Sequence, residues 1–457
     1  MNFHKVKRIH FVGIGGTGMC GMAEILHAMG FEVTGCDRAG SPAVDHLTSL
    51  GIPVAVGHNP EHAKGVQVMV YSSAVPPDHP ELAAAATLNI PVIKRAEMLA
   101  QMVRLGFSIA VAGTHGKTTT TSLIGHLFTV LGQDPTVIVG GRVKSFPGHA
   151  RLGKGRHFVV EADEYDKSFL WLLPDIAVLT TVDADHLDTY GDFSSVCSAF
   201  LQFAQKVPFY GSIVLRLDDP HQRQMIPSLN RQIVTYGFTP QADYFVHTLA
   251  PGARGMRFQL TARERTHPAF VPLFGEHNVA NAAAALAVAA ELDLPLEPAV
   301  KALETFPGVA RRFDLVGEWN GAQVVDDYAH HPAEIEATLK GARLAFPGKR
   351  LVAVFQPHLY SRTRDFVQKF ANALFNADVL VVTKIYPARE EPLPGVSGEN
   401  IVTLARQMGH KQAYYLEEFD DARTFLGDYA LPEAVVLTLG AGDITHFARS
   451  LAEGGRP

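Results

Sequence analysis

At 457 residues the chain is too long for one ordinary core, and two to four domains are expected. With 47% apolar and 19% charged residues it has the composition of a soluble globular protein, and a formal charge of -6 argues against the basic surface that nucleic acid requires. Cys20, Cys36 and Cys197 form no metal-ligand or disulfide-type spacing, which suits a reducing cytoplasm.

The N-terminal apolar run is too short and too Gly-rich for the core of a signal peptide. No stretch approaches the roughly 20 apolar residues of a membrane helix, so no membrane insertion is expected. Strand-like runs alternate with Ala/Leu-rich helical stretches almost throughout, the pattern of parallel α/β architecture. The first unit is a strand from Arg8 to Val12, a Gly turn and a helix from about Thr17 to Met29. Strands at Glu32 to Gly35, Val54 to Val56, Val66 to Tyr71 and Val92 to Lys94 follow, then a helix from Ala96 to about Arg104. A boundary is expected near residue 106.

A second region, 107–313, opens on a strand from Phe107 to Ala112, a Gly turn and a helical stretch from Thr120 to Leu131. It continues with strands at His157 to Val160, Ile176 to Thr181 and Ser212 to Leu215, a mixed segment from Ile233 to Leu260, and a buried helix from Asn278 to Leu292. A third region, 314–457, carries strands Gln323 to Val325, Arg350 to Phe355, Val379 to Thr383 and Ala434 to Leu439, with helices between them. The expected fold class is therefore α/β, with a Rossmann-like domain (1–106), a central P-loop-type ATPase domain (107–313) and a second Rossmann-like domain (314–457).

The most informative motif is Gly113-Thr114-His115-Gly116-Lys117-Thr118-Thr119-Thr120. A Gly-rich turn between strand and helix aims backbone N–H groups and the positive helix end at one spot, which suits a phosphate. Lys117 would reach terminal phosphates and the Thr118 hydroxyl would ligate Mg²⁺. The general P-loop has Gly five residues before Gly116, where Val111 stands here.

Gly13-Ile14-Gly15-Gly16-Thr17-Gly18 matches the dinucleotide fingerprint in the strand–helix context it requires, and Asp37 ends the next strand. The loop accepts NAD, FAD or any other diphosphate, a UDP-sugar included. Glu161-Ala162-Asp163-Glu164-Tyr165-Asp166 and Asp183-Ala184-Asp185-His186 each follow a strand. Glu161 is a candidate for the Mg²⁺ that Thr118 also holds, and His186 for a second metal.

Asn278 and Asn281 open the Ala-rich helix, either to meet a base edge or to cap the helix. Arg311 and Arg312 either reach a phosphate or pair with surface acids. In the last region, Asp327-Tyr328-Ala329-His330-His331 and Gln356-Pro357-His358-Leu359-Tyr360-Ser361-Arg362 both follow strands, at the usual ligand edge of such a sheet. There an Arg can clamp a carboxylate and a His can orient or deprotonate an amine.

These motifs together resemble the Mur ligases, nearly end to end. The match is most specific at His10-Phe11-Val12-Gly13-Ile14-Gly15-Gly16, at residues 113–120, at Asp183-Ala184-Asp185-His186 and at Phe355-Gln356-Pro357-His358. The resemblance implies ATP-dependent amide synthesis in peptidoglycan precursor formation, in the branch that adds L-alanine to the lactyl carboxylate of UDP-N-acetylmuramate. It implies UDP-sugar contacts at Gly15, Gly16, Thr17, Gly18, Asp37, Ser72, Ser73 and Arg95. ATP contacts are implied at Gly113, Thr114, His115, Gly116, Lys117, Thr118, Thr119, Asn278, Asn281, Arg312 and Asp327.

Mg²⁺ ligands are implied at Thr118, Glu161 and His186, with His186 also near substrate. His330, Tyr328 and Arg362 would face the amino acid and the acyl intermediate, so that Lys117, His330 and Arg362 form the catalytic set. The implied protein is cytoplasmic, a monomer or homodimer. Two positions depart from the family pattern: Ala329 stands where the family has Gly before His-His-Pro, and Tyr165 where it has Ser. Both variants also resemble the branch that recycles murein tripeptide, which leaves the added group open between alanine and tripeptide. An NAD-dependent oxidoreductase built on the first loop would leave residues 113–120 without a role.

Overall fold

The computed structural model describes residues 3–72, 74–141, 143–144, 150–185, 187–388, 390–429 and 433–454; Thr17, Leu187 and Asp188 are described by their backbone. The strands form three sheets, one for each domain of an α/β fold. The first has the order Val54–Val56, Glu32–Asp37, Arg8–Val12, Val68–Tyr71, Val92–Lys94, and all its pairs are parallel. Strand Arg8–Val12 is buried from Ile9 to Val12, as a central parallel strand covered on both faces must be. Strand order reverses between it and Val68–Tyr71, so the loops after Val12 and Tyr71 share one crevice.

The second sheet runs Arg265–Val271, Gly255–Ala262, Tyr244–Gly252, Gln232–Gly237, Ser212–Arg216, Ile176–Leu179, Phe107–Ala112, His157–Glu161, Thr136–Ile138, Ala150–Arg151. Phe107–Ala112 lies between Ile176–Leu179 and His157–Glu161, parallel to both. The three loops expected to carry chemistry therefore leave the same sheet edge side by side. Val111 pairs within this strand and is fully buried, so the chain stays extended through Ala112 and the turn begins only at Gly113. That is why no glycine stands at 111.

The third sheet runs Asp314–Trp319, Ala322–Asp327, Ala434–Leu439, Arg350–Phe355, Val379–Val382, Ala413–Tyr415. It is parallel except for its antiparallel edge strand Asp314–Trp319, which the sequence reading left out. The chain divides into two compact units. One is Met1–Thr248, Phe258–Phe270 and Ala280–Pro307; the other is Leu249–Arg257, Val271–Val279 and Gly308–Pro457. Within the first unit, a single apolar cluster joins Phe11 and Leu26 of the first sheet's domain to Ile138, Val160 and Phe200 of the second.

Helix Lys117–Val130 runs against its own composition. Thr118, Thr119, Thr120, Thr121 and Ser122 are poor helix formers. Their burial and back-bonds (Thr121 Oγ1 donating to Lys117 O at 2.8 Å, Ser122 Oγ to Thr118 O at 2.6 Å) let tertiary packing carry the helix. Helix Pro332–Ala345 starts with Pro at its first turn and a capping box between His331 and Glu334, which fixes the chain direction just after His330. Among the described residues, no helix is long and apolar enough to cross a membrane.

Candidate active site

Gly113 (φ +144°) and Gly116 (φ +83°) both adopt backbone conformations that a side chain resists. A Cβ on Gly113 would overlap Thr180 Oγ1, and one on Gly116 would come within 2.7 Å of Asn281 Oδ1. The N-cap of helix Lys117–Val130 is Gly116, which has no side chain to cap it, so the positive end of the helix opens on the loop. The loop is braced by the next strand's end: Thr114 N donates to Thr181 O at 3.0 Å, and His115 N to Thr181 Oγ1 at 3.0 Å. The His115 ring sits 3.6 Å from Asp183 Oδ2. This glycine cradle with a helix N-terminus fits a nucleotide's phosphates.

Lys117 Nζ donates to Gly113 O at 2.7 Å and to Glu164 Oε1 at 2.8 Å. Burial favours the neutral amine, but the carboxylates of Glu164, Asp163 and Glu161 outweigh it and hold the ammonium above its ordinary range. Thr118 Oγ1 donates to Glu161 Oε1 at 3.1 Å, while Glu161 Oε2 accepts from Gly140 N at 2.8 Å. A hydroxyl beside a carboxylate next to a phosphate cradle is an oxygen donor set suited to Mg²⁺.

The first glycine loop is shaped the same way. Gly13 has φ +77°, and Gly13 N and Ile14 N donate to Cys36 O at 2.9 and 3.0 Å. Asp37 Oδ2 accepts from Gly15 N at 2.8 Å, so the carboxylate at the strand end holds the loop. Helix Thr17–Ala28 begins with Gly16 as its uncapped N-cap. A Cβ on Gly18 would come within 2.8 Å of Arg95 Nη1, which places that guanidinium against the loop. Arg95 also lies 3.9 Å from Asp163 Oδ2. A cavity of about 240 Å³ is lined by Gly16, Gly18, Ser72, Arg95, Glu161 and Asp163, so it joins the first glycine loop to the acidic loop of the second sheet. Tyr165 lines it too.

In the second unit, Asp327 accepts from Phe313 N at 2.7 Å and Ala329 N at 2.8 Å. Burial pushes its carboxyl up to about 6, against the pull of Arg312 and these two N–H groups. Arg311 is fixed by its bond to Gly440 O (2.7 Å) and lies over the Tyr328 ring at 4.7 Å; Arg312 lies over the same ring at 5.1 Å. His330 Nδ1 sits 3.0 Å from Tyr328 O and 3.3 Å from Glu334 Oε2, with its ring 5.9 Å from that of His358. Arg362 is in the first turn of helix Tyr360–Leu374. Asn278 lies inside helix Glu276–Glu291 and donates to Phe274 O at 2.8 Å. Ala329 is fully buried in this unit's apolar core, so its methyl replaces a glycine hydrogen among core side chains.

Within the first unit the structure brings together Gly113, Thr114, His115, Gly116, Lys117, Thr118, Glu161 and Asn281, and around the cavity Gly16, Gly18, Ser72 and Arg95. Thr119 is buried along the helix flank. His186 and Ser73 lie outside the described residues, as does the Thr17 side chain. Sequence reasoning missed Glu164 as the partner of Lys117 and Thr181 as the brace of the loop. The run Thr180-Thr181 at a strand end was the available signal for the brace.

Three family models match in succession: "Mur ligase family, catalytic domain" over residues 8–106, "Mur ligase middle domain" over 111–289, and "Mur ligase, glutamate ligase domain" over 311–442. A UDP-N-acetylmuramate–L-alanine ligase of Sorangium cellulosum is 48% identical over 452 residues, covering 98% of this chain and 96% of that one. One from Oleidesulfovibrio alaskensis is 47% identical over 440 residues, covering 96% and 97%. The crystal structure of a UDP-N-acetylmuramate-alanine ligase from Thermotoga maritima superposes with a TM-score of 0.84 at 30% identity, covering 98% of each chain.

Proposed function

Because the chain belongs to the Mur ligase family, we propose that it joins L-alanine to the lactyl carboxylate of UDP-N-acetylmuramate, coupled to ATP cleavage, in peptidoglycan precursor synthesis. The observation that carries this reading is the cavity of about 240 Å³ that links the first glycine loop to Glu161 and Asp163 beside the phosphate loop. It gives a UDP-sugar, held at its diphosphate by Gly15, Gly16 and Gly18 with Arg95, a route to the transferring phosphoryl group. We assign UDP-sugar binding to residues 1–106, ATP to 107–313 and the amino acid to 314–457. The protein acts in the cytoplasm as a monomer or homodimer.

A lactyl carboxylate oxygen attacks the γ-phosphorus of ATP, ADP leaves, and an acyl phosphate forms. Lys117 holds the phosphates and balances their charge, the main task in such chemistry. Mg²⁺ held by Thr118 and Glu161, with a second ion at His186, would add charge neutralisation there. Asn281, whose side chain packs on Gly116, borders the nucleotide, and Asn278, Arg312 and Asp327 belong to its binding set. The amine of L-alanine then attacks the acyl carbon, and phosphate departs from the tetrahedral intermediate. His330, oriented by the Tyr328 carbonyl and Glu334, takes the amine proton. Arg362 pairs with the alanine carboxylate.

The test is phosphate release from ATP and Mg²⁺ with UDP-N-acetylmuramate, supplied with L-alanine or murein tripeptide in separate reactions. Release that needs both UDP-sugar and L-alanine is expected. Release only with tripeptide would move the activity to the recycling branch, where Tyr165 in the cavity wall becomes the residue to examine. Release indifferent to the UDP-sugar would remove the ligase reading.

A further inference from the structure

A second cluster of reactive side chains lies in the first sheet's domain, apart from the nucleotide loops. Four elements contribute to it. His10 is on strand Arg8–Val12, Cys36 on the neighbouring strand Glu32–Asp37, His62 on the turn Pro60–Ala63, and Glu81 on helix Pro80–Thr87. Their spread along the chain hides them from any reading of spacing. One donor atom from each lies within 4.8 Å of all the others.

Several observations point to a ligand. Glu81 is fully buried, and its carboxylate faces His62 Nδ1 at 3.0 Å, Cys36 Sγ at 3.1 Å and His10 Nε2 at 3.4 Å. His10 is 3% exposed, and its Nε2 makes no hydrogen bond of good geometry. Its Nδ1 lies 2.8 Å from Thr34 Oγ1. When Nδ1–H is donated to that hydroxyl, Nε2 presents its lone pair to the cluster, the arrangement found behind metal-binding imidazoles. A tetrahedral shell with bonds of about 2.0–2.3 Å has edges of about 3.3–3.8 Å. The three contacts made by the two Glu81 oxygens, 3.0–3.4 Å, lie near the short end of that range. His10 and His62 also line a cavity of about 620 Å³, together with Arg8, Glu32, Thr34 and Lys64, which gives an ion a way in.

We propose that His10, Cys36, His62 and Glu81 bind one divalent transition-metal ion of the Zn²⁺ class. One thiolate, two imidazoles and a carboxylate are softer than the oxygen donors of Thr118 and Glu161, so this site selects Zn²⁺ over Mg²⁺. Binding releases the Cys36 thiol proton to solvent and forms the metal–sulfur bond. His58, 3.4 Å from both Cys36 Sγ and Glu81 Oε1, stands beside the shell. The carbonyl of Cys36 holds Gly13 N and Ile14 N, so an ion here also stiffens the first glycine loop.

The test uses the full chain, stripped with a chelator and titrated with Co²⁺ in excess Mg²⁺ and without nucleotide. One equivalent of Co²⁺ is expected, with visible bands of tetrahedral intensity and a thiolate-to-cobalt band in the near ultraviolet, both abolished by Zn²⁺. Cys36→Ser should lose the thiolate band, and His62→Asn should weaken binding roughly 10–100-fold. Circular dichroism of the metal-free variants checks folding. The half-buried His62 ring keeps the test decisive if the Cys36 variant fails to fold. Absence of stoichiometric Co²⁺ binding, or an unchanged spectrum in either folded variant, would overturn the site.

Discussion

Lys117 Nζ lies 2.6 Å from Glu164 Oε2, so the phosphate-loop lysine is held by an acidic residue in the loop that follows a neighbouring strand. Glu164 is 1% exposed, and a buried ammonium needs such a counter-charge. An incoming γ-phosphate therefore competes with Glu164 for Lys117. Glu164→Gln should lower the melting temperature without ATP, by the equivalent of about 3 kcal/mol. ATP should then raise it more than in the wild-type protein, because the phosphate supplies the missing charge. Equal ATP-induced shifts in the two proteins would rule out the competition.

Lys117→Ala tests the same group from the other side. Phosphate release should fall by about 10³-fold or more, since one preorganised charge at a transferring phosphoryl group contributes on that scale. Calorimetry should find UDP-N-acetylmuramate binding unchanged. Loss of both together would make the loop a structural element.

Glu161 accepts from both Thr118 Oγ1 and Gly140 N, so Glu161→Gln removes a charge without emptying the space. The Mg²⁺ concentration for half-maximal phosphate release should rise about tenfold, with little change in melting temperature, because the Gln carbonyl still accepts from Gly140 N while its amide N–H donates to the Thr118 hydroxyl. A fall in stability at constant Mg²⁺ dependence would assign Glu161 to the fold.

Most of the sheets and the loops carrying chemistry could be read from the sequence, because each motif is contiguous and follows an apolar strand. The pairing of Glu164 with Lys117 could not, since it depends on which strands become neighbours. Strand Arg265–Val271 escaped for a local reason: Arg265, His267 and Pro268 break the apolar pattern, and the strand ends its sheet, where Pro is tolerated. The short strands Thr136–Ile138 and Ala150–Arg151 offer too few residues for a period to show. His10, Cys36, His62 and Glu81 became a cluster only in three dimensions.

Gly113 separates packing from chemistry. Its φ of +144° and the overlap of any Cβ with Thr180 Oγ1 leave no room for a methyl group, and Thr181 N lies 3.0 Å from the same point. Gly113→Ala should destabilise the protein by about 2–3 kcal/mol and weaken ATP binding. Gly132→Ala, at φ +75° with no atom near the added carbon, should cost about 1 kcal/mol through backbone strain alone and leave ATP binding intact. Thermal melts and nucleotide titrations of the pair distinguish the crowded turn from the merely strained one.

Asp327 gives a pH dependence with a definite sign. Burial raises its carboxyl to about 6, against Arg312 and the Ala329 and Phe313 N–H groups, while an unfolded Asp titrates near about 3.9. The folded chain then binds a proton that the unfolded chain has released. This group's contribution to stability is fully present below about pH 3.9 and is lost as pH rises through about 6. Asp327→Asn should be less stable at every pH, because one amide cannot accept from both N–H groups. Its deficit against the wild-type protein should be largest near pH 4 and shrink towards pH 7, and melting temperatures measured across that range check it. A constant gap would mean that Asp327 titrates near its ordinary value. If Asp327 must be ionised to bind the nucleotide, kcat/KM for ATP should also fall below about pH 6.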